Sequence, residues 1–113
     1  MKKIEAFIRP ETLEPVRLHL EEIGYPGMSV TDLIGHGKQR GVVHQWRGTQ
    51  YKTAFVPKVK IEMVVADKQV DKLVNGIIEV CGTGKAGDGK IFVYKVDDAY
   101  RVSTKESGDK AID

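Results

Sequence analysis

A chain of 113 residues is one domain's worth of sequence. At that length roughly 65% of the unfolded surface can be buried, enough for one core without a metal or a disulfide. Its 41% hydrophobic and 30% charged residues exclude fibrous and disordered classes. No apolar run approaches the roughly 20 residues that cross a bilayer. The opening MKKIEAFIRP starts basic, but Glu5 and Arg9 interrupt any secretory apolar core. The single cysteine, Cys81, allows no internal disulfide, so a reducing cytoplasm is the expected setting. Cys81 itself is expected to be a small buried hydrophobe and not a nucleophile. The net charge of +2 is unevenly spread. Lys38, Arg40, Arg47, Lys52, Lys58 and Lys60 fall between Leu33 and Ile61 with no acid among them, leaving 12 cations against 16 acids elsewhere. A cationic segment on an acidic body points to an anionic ligand or partner surface there.

In chain order, Ile4, Ala6 and Ile8 alternate with Lys3, Glu5 and Arg9, which predicts a strand over Lys2 to Arg9, ended by Pro10. Leu13, Val16, Leu20 and Ile23 then share one face of a helix, with Pro15 tolerated in its first turn. Gly24 and Pro26-Gly27 close that helix, and a second strand follows over about Met28 to Gly35. The third strand places Val59, Ile61, Met63 and Val65 opposite Lys58, Lys60, Glu62 and Val64. A second helix is predicted over Lys68 to Val80, striped by Val70, Leu73, Val74, Ile77 and Ile78 and capped by Asp67. The loop Gly82 to Gly89 leads to a fourth strand over Lys90 to Val96, and residues from about 103 to 113 are expected to be loosely ordered.

This β-α-β, long loop, β-α-β order predicts a single α+β domain of ferredoxin-like βαββαβ type, a four-stranded antiparallel sheet with both helices on one face. The helices would cover Ile4, Ile8, Ile61, Met63, Ile91 and Val93. Phe7, Val64, Phe92 and Tyr94 then fall on the open face, and four such residues call for a covering subunit or a stacked ligand, of which oligomerisation is the favoured reading.

Two segments exceed what the fold needs. The connection of about 36 to 57 has no obvious element of its own, and loops beyond roughly 12–15 residues are usually functional or disordered. It carries Trp46, Arg47, Tyr51 and Phe55, residue types that dominate binding hot spots, with Gly35, Gly37, Gly41 and Gly48 to let it change shape. The second is Gly82-Thr83-Gly84-Lys85-Ala86-Gly87-Asp88-Gly89-Lys90, whose glycines let amides converge on phosphate oxygens while Lys90 adds charge. Gly84-x4-Gly89-Lys90 imitates a nucleotide-hydrolase phosphate loop. However, Ile91 stands where a magnesium-binding Ser or Thr is needed, and the loop runs from helix to strand. His19, expected on the polar side of the first helix, and His36 and His44, flanking the long loop, have no metal-ligand spacing and are read as non-catalytic. No catalytic set is found.

The chain resembles the PII nitrogen-regulatory signal-transduction family along nearly its whole length. The resemblance rests on KKIEAFIRP, Trp46-Arg47-Gly48-Thr49-Gln50-Tyr51, Pro57-Lys58-Val59-Lys60-Ile61-Glu62, and Thr83-Gly84-Lys85-Ala86-Gly87-Asp88-Gly89-Lys90-Ile91-Phe92-Val93. It implies a homotrimer, not an enzyme, with ATP or ADP held between subunits. The matching nucleotide positions are Gly27, Met28, Ser29, Gly35, Gly37, Lys38, Gln39, Glu62, Val64, Gly87, Gly89, Lys90 and Arg101. It further implies 2-oxoglutarate beside ATP and Mg2+, through Gln39 as the metal ligand, Lys58 and Gly87. The long loop would be the family's T-loop, with Tyr51 where some members are uridylylated and Arg47, Trp46 and Tyr51 gripping partners such as ammonium channels and nitrogen-metabolism enzymes. Many members carry arginine at the positions of Lys38 and Ser103 and glycine at Lys105, and some carry a phosphorylated serine at Thr49. These departures leave room for a divergent sensor of AMP, ADP or another small anion. An RNA-recognition module shares the element order, but Glu5 and Glu62 on the open face would repel phosphate. No nucleic-acid partner is therefore expected, and an acylphosphatase-like hydrolase lacks an identifiable arginine-asparagine pair.

Overall fold

The computed structural model describes residues 1–25, 27–36, 43–46, 49–52 and 55–113, with 43–46 and 49–52 described for the backbone alone. The elements are β1 (Lys2–Ile8), α1 (Leu13–Glu22), β2 (Ser29–His36), β3 (Val43–Trp46), β4 (Thr49–Lys52), β5 (Phe55–Val65), α2 (Val70–Cys81) and β6 (Gly89–Lys95). Four strands form an antiparallel sheet in the order β2-β5-β1-β6, as the βαββαβ reading predicts. β1 sits between β5 and β6, so that Ile4 faces Met63 on one side and Val93 on the other.

Alternation in β1 and β5 delivers Ile4, Ala6, Ile8, Val59, Ile61, Met63 and Val65 to the helix-covered face, where Val16, Leu20, Leu73, Ile77 and Cys81 meet them. Each fully buried Ile, Leu or Val contributes about 1.5–3 kcal/mol relative to its exposed state. Cys81 is buried as expected, and burial raises its thiol above the usual value. Val93 departs from the predicted core and is 43% exposed. It lies on β6, an edge strand of the sheet with a neighbour on one side only among the described residues.

Just past the end of α1, Gly24 turns the chain in the left-handed region at φ 83, with the Tyr25 N–H donating back to the Leu20 carbonyl at 3.1 Å. On its exposed side Arg17 pairs with Glu14 and Glu21. The two helices approach through Gly76, where an added Cβ would lie 3.0 Å from Ile23 Cδ1 and 3.3 Å from Leu20 Cδ2. His19 sits at this crossing and not on the polar side as predicted, with Nε2 3.3 Å from Glu79 and Nδ1 3.7 Å from Glu22. Filling the crossing should cost stability. Gly76→Val is expected to lose about 1–2 kcal/mol through overpacking, read as a lower urea midpoint at unchanged slope. A midpoint at or above that of the parent would refute the tight crossing.

Four local expectations change. Asp67 does not cap α2, because a 3-10 turn (Asp67–Gln69) precedes it, and its carboxylate lies 3.0 Å from the Met1 amine instead. β5 begins at Phe55, three residues before the predicted strand, because β2 reaches His36, whose ring meets that of Phe55 at 4.8 Å with a tilt of 47°. Pro57 sits where β5 pairs with β2 alone, beyond the run that faces β1, a position at the margin of the sheet where proline is tolerated. The connection expected to lack elements holds an antiparallel pair, β3 with β4, in which Trp46 faces Thr49. Past β6, where a loose tail was expected, Tyr100 bridges to Ser107 and a 3-10 turn spans Gly108–Ala111.

Candidate functional site

Two clefts open on the sheet face that the helices leave bare. The first, about 370 Å³, lies at one end of the sheet, floored by Phe7 and Phe92 and lined by Leu33, Gly35, His36, Val56, Lys58, Gly87, Gly89 and Lys90. No acidic side chain lines it among the described residues. The second, about 290 Å³, lies at the opposite end, formed by Gly27, Met28, Ser29, Glu62 and Val64 beside Lys3 and Met63.

The first cleft follows from strand register. Phe7 faces Lys90 and Ile8 faces Gly89, bringing the end of the glycine-rich loop against the end of β1. Leu33 faces Lys58, so β5 presents its lysine beside β2. Lys58 Nζ donates to the Gly87 carbonyl at 2.7 Å, tying loop to sheet. Burial, then the positive charge of Arg9, holds the Lys58 ammonium below the usual lysine value, against the pull of Glu11 and Asp88. Gly87 and Gly89 both adopt positive φ, at 95 and 120. Such a turn lets successive amides face an anion, and the amides of Ala86 and Gly87 find no acceptor among the described residues. Two lysines and free amides in an acid-free hollow suit phosphate or carboxylate.

The second cleft has different chemistry. Ser29 faces Glu62 across β2 and β5, setting a carboxylate beside the backbone of residues 27–29. Glu62 is 2.9 Å from Lys60 and 3.5 Å from Lys3, and its hydrogen bond from Lys60 holds it below the usual carboxylate range. An acceptor in a small hollow beside Val64 suits a neutral hydrogen-bonding ring more than a phosphate.

The sequence-predicted positions thus divide. Gly35, Lys58, Gly87, Gly89 and Lys90 gather in the first cleft; Gly27, Met28, Ser29, Glu62 and Val64 gather in the second. Arg101 lines neither. Its guanidinium bonds the Asp113 main-chain oxygen and lies 4.0 Å from Glu106. Gly37, Lys38, Gln39 and Arg47 lie outside the described residues, and Trp46 and Tyr51 are placed by backbone only, on β3 and β4. Among the described residues no group of three or more His, Cys, Asp or Glu could hold a metal, and no helix is long and apolar enough to cross a membrane. Sequence reasoning passed over Arg9 and Asp88, which pair at 2.7 Å across 79 positions. His36, read as non-catalytic, lines the first cleft. No local pattern announces either.

A four-stranded sheet with helices on one side and a basic cleft at the root of a hairpin-bearing connection defines a ferredoxin-like α+β protein built around an anion-suited hollow. The family model for nitrogen regulatory protein P-II matches residues 1–106. The chain belongs to that family, which places it among nitrogen-signalling proteins. Over 112 residues it is 50% identical to a nitrogen regulatory protein P-II of Haemophilus influenzae, covering 99% of this chain and 100% of the relative. A nitrogen regulatory protein P-II 1 of Escherichia coli is likewise 50% identical, with the same coverage. A nitrogen regulatory protein P-II 2 of Methanothermobacter thermautotrophicus is 48% identical over 99% of this chain and 97% of its own length.

Proposed function

We propose that this chain is a cytoplasmic nitrogen-, carbon- and energy-status signalling protein and not an enzyme. In this reading it binds ATP or ADP, takes 2-oxoglutarate with Mg2+, and regulates target proteins through the arm between β2 and β5. The observation that carries the reading is the acid-free cleft where Lys58, Lys90 and the amides around Gly87 converge. There the phosphate chain would meet Lys90 and the loop amides, and the dicarboxylate would meet Lys58 and Gly87. Glu62, Val64 and the backbone of Gly27, Met28 and Ser29 would take the base. Gly35, Gly37, Lys38 and Gln39 would join at the root of the arm, with Gln39 and the ligand oxygens holding Mg2+ to neutralise phosphate charge. Binding there would select one arm conformation from several. A partner such as an ammonium channel or nitrogen-metabolism enzyme, gripping Trp46, Arg47 and Tyr51 in another conformation, would weaken ligand binding by the same factor. Tyr51 is then the site of a regulatory uridylylation.

The homotrimer is part of the same proposal. Phe92 and Tyr94 are 44% and 45% exposed on the open face, with Phe7 packed edge-on to Phe92 at 6.0 Å. The outer edges of β2 and β6 are unpaired among the described residues. Further copies would cover both features and bring Arg101 toward a neighbour's cleft.

Calorimetry is expected to give ATP binding at micromolar to sub-millimolar strength, tightened by Mg2+ with 2-oxoglutarate. Sedimentation is expected to give three chains. Nucleotide binding with no 2-oxoglutarate coupling would replace this reading with a divergent AMP- or ADP-centred sensor, and absence of nucleotide binding would end it.

A further inference from the structure

The Asp88 carboxylate is the most heavily engaged acid among the described residues. It accepts from Thr83 N at 2.7 Å, Thr83 Oγ1 at 2.5 Å, Gly84 N at 2.9 Å and Arg9 Nη1 at 2.7 Å. Those donors, the Thr83 hydroxyl first and Arg9 next, hold it well below the usual carboxylate range. Despite its place between Gly87 and Gly89, Asp88 does not line the basic cleft. It borders the hollow on the other side of the loop, with Cys81 and Ile91. Its negative charge therefore stands behind the loop, neutralised by Arg9, while its neighbours face the cleft.

Arg9 has a second hold. Its Nη2 donates to the Ala86 carbonyl at 3.1 Å, as Lys58 does to the Gly87 carbonyl. In a trans peptide the N–H points opposite to the carbonyl. Drawing the Ala86 carbonyl toward Arg9 thus aims the Gly87 N–H away from the guanidinium, and that N–H has no acceptor among the described residues.

We infer that Asp88 and Arg9 are a positioning pair that presents the Gly87 amide to the phosphate chain of a nucleotide without touching the ligand themselves. The inference rests on the anion-binding reading of the cleft. An amide fixed before the ligand arrives spares the ordering cost on binding.

The test titrates ATP and, separately, adenosine into 15N-labelled protein followed by NMR, on the parent, Asp88→Ala, Asp88→Asn and Arg9→Gln, with melting temperatures of each. Asp88→Ala is expected to weaken ATP about tenfold while leaving adenosine within about twofold, and to remove the Gly87 amide shift that ATP induces. Asp88→Asn, which keeps one acceptor oxygen for the Thr83 and Gly84 amides, is expected to recover part of the loss, and Arg9→Gln to fall between. Equal ATP affinity in Asp88→Ala and the parent overturns the pair's role alone. Parallel loss of ATP, adenosine and melting temperature overturns it too, showing a merely structural contact. If Asp88→Ala fails to fold, Arg9→Gln decides by the same criteria. A parent that takes no ATP sinks the cleft's reading itself, and the pair's role with it.

Discussion

Replacing Gly89 by alanine is expected to destabilise the protein by about 3 kcal/mol and to lower its melting temperature by roughly 10 °C. An alanine Cβ at this position would lie 2.0 Å from the Phe7 carbonyl oxygen and 3.1 Å from the Phe7 carbonyl carbon. Both are backbone atoms of β1, the central neighbour of β6, so no side-chain rotation relieves the clash. The residue also sits at φ 120, a conformation that L side chains rarely adopt. The strand end must therefore move. Because Ile8 faces Gly89 and Phe7 faces Lys90, moving it widens the cleft where Lys90 and Gly87 stand. ATP binding is expected to fall with stability. Gly84→Ala is the control. Gly84 has φ 80 but nothing within 4 Å of an added Cβ, so only the left-handed strain of roughly 1 kcal/mol applies. Thermal melts at one protein concentration compare the two. A Gly89→Ala melt no lower than that of Gly84→Ala would show that the close approach to Phe7 does not constrain the loop.

The contrast between these glycines shows where the sequence was legible and where it was not. Alternation in β1 and β5 and the stripe of α2 each follow from a single element's period, so the helix-covered face could be read directly. What depends on two elements meeting could not. His19 looks like a polar-face residue until Gly76 of the other helix brings α2 against it. Val93 shares its face with Ile4, yet only the sheet order reveals that it stands on an edge. β3 and β4 are four residues each with mixed polarity, too short for a periodic signal. The one cue was Arg47-Gly48 between them, two residues ending in glycine. Composition marked the glycine-rich loop as an anion candidate, and the family resemblance supplied Glu62 and Ser29. Their separation from Lys58 into a second cleft needed the β2–β5 register. Arg9 and Asp88 carry no mutual signal across 79 positions, although their pairing holds the loop.

Lys58 carries the other large expected effect, on the dicarboxylate arm of the proposed function. Lys58→Met is expected to weaken 2-oxoglutarate in the presence of Mg-ATP by about 10- to 100-fold, the cost of losing a charge-assisted partner in a partly buried site. ATP alone should change far less, since Lys90 and the loop amides remain. The pH dependence supplies a sharper check. Burial, then the charge of Arg9, lowers the Lys58 value from the ordinary 10.5. Between the lowered value and 10.5 the unfolded chain holds a proton that the folded chain has released, so this residue makes stability rise with pH in that alkaline window. Ligand affinity runs the opposite way, because only the ammonium pairs with a carboxylate. Coupling to 2-oxoglutarate should therefore stay level near neutrality and decline as pH climbs toward the alkaline range, before an ordinary lysine would lose its proton. Lys58→Arg keeps its charge throughout, so the decline attributable to this position should vanish in a titration from about pH 7 to about pH 10. Identical declines in the parent and Lys58→Arg would remove Lys58 from the dicarboxylate site, and undiminished 2-oxoglutarate coupling in Lys58→Met would do so independently of pH.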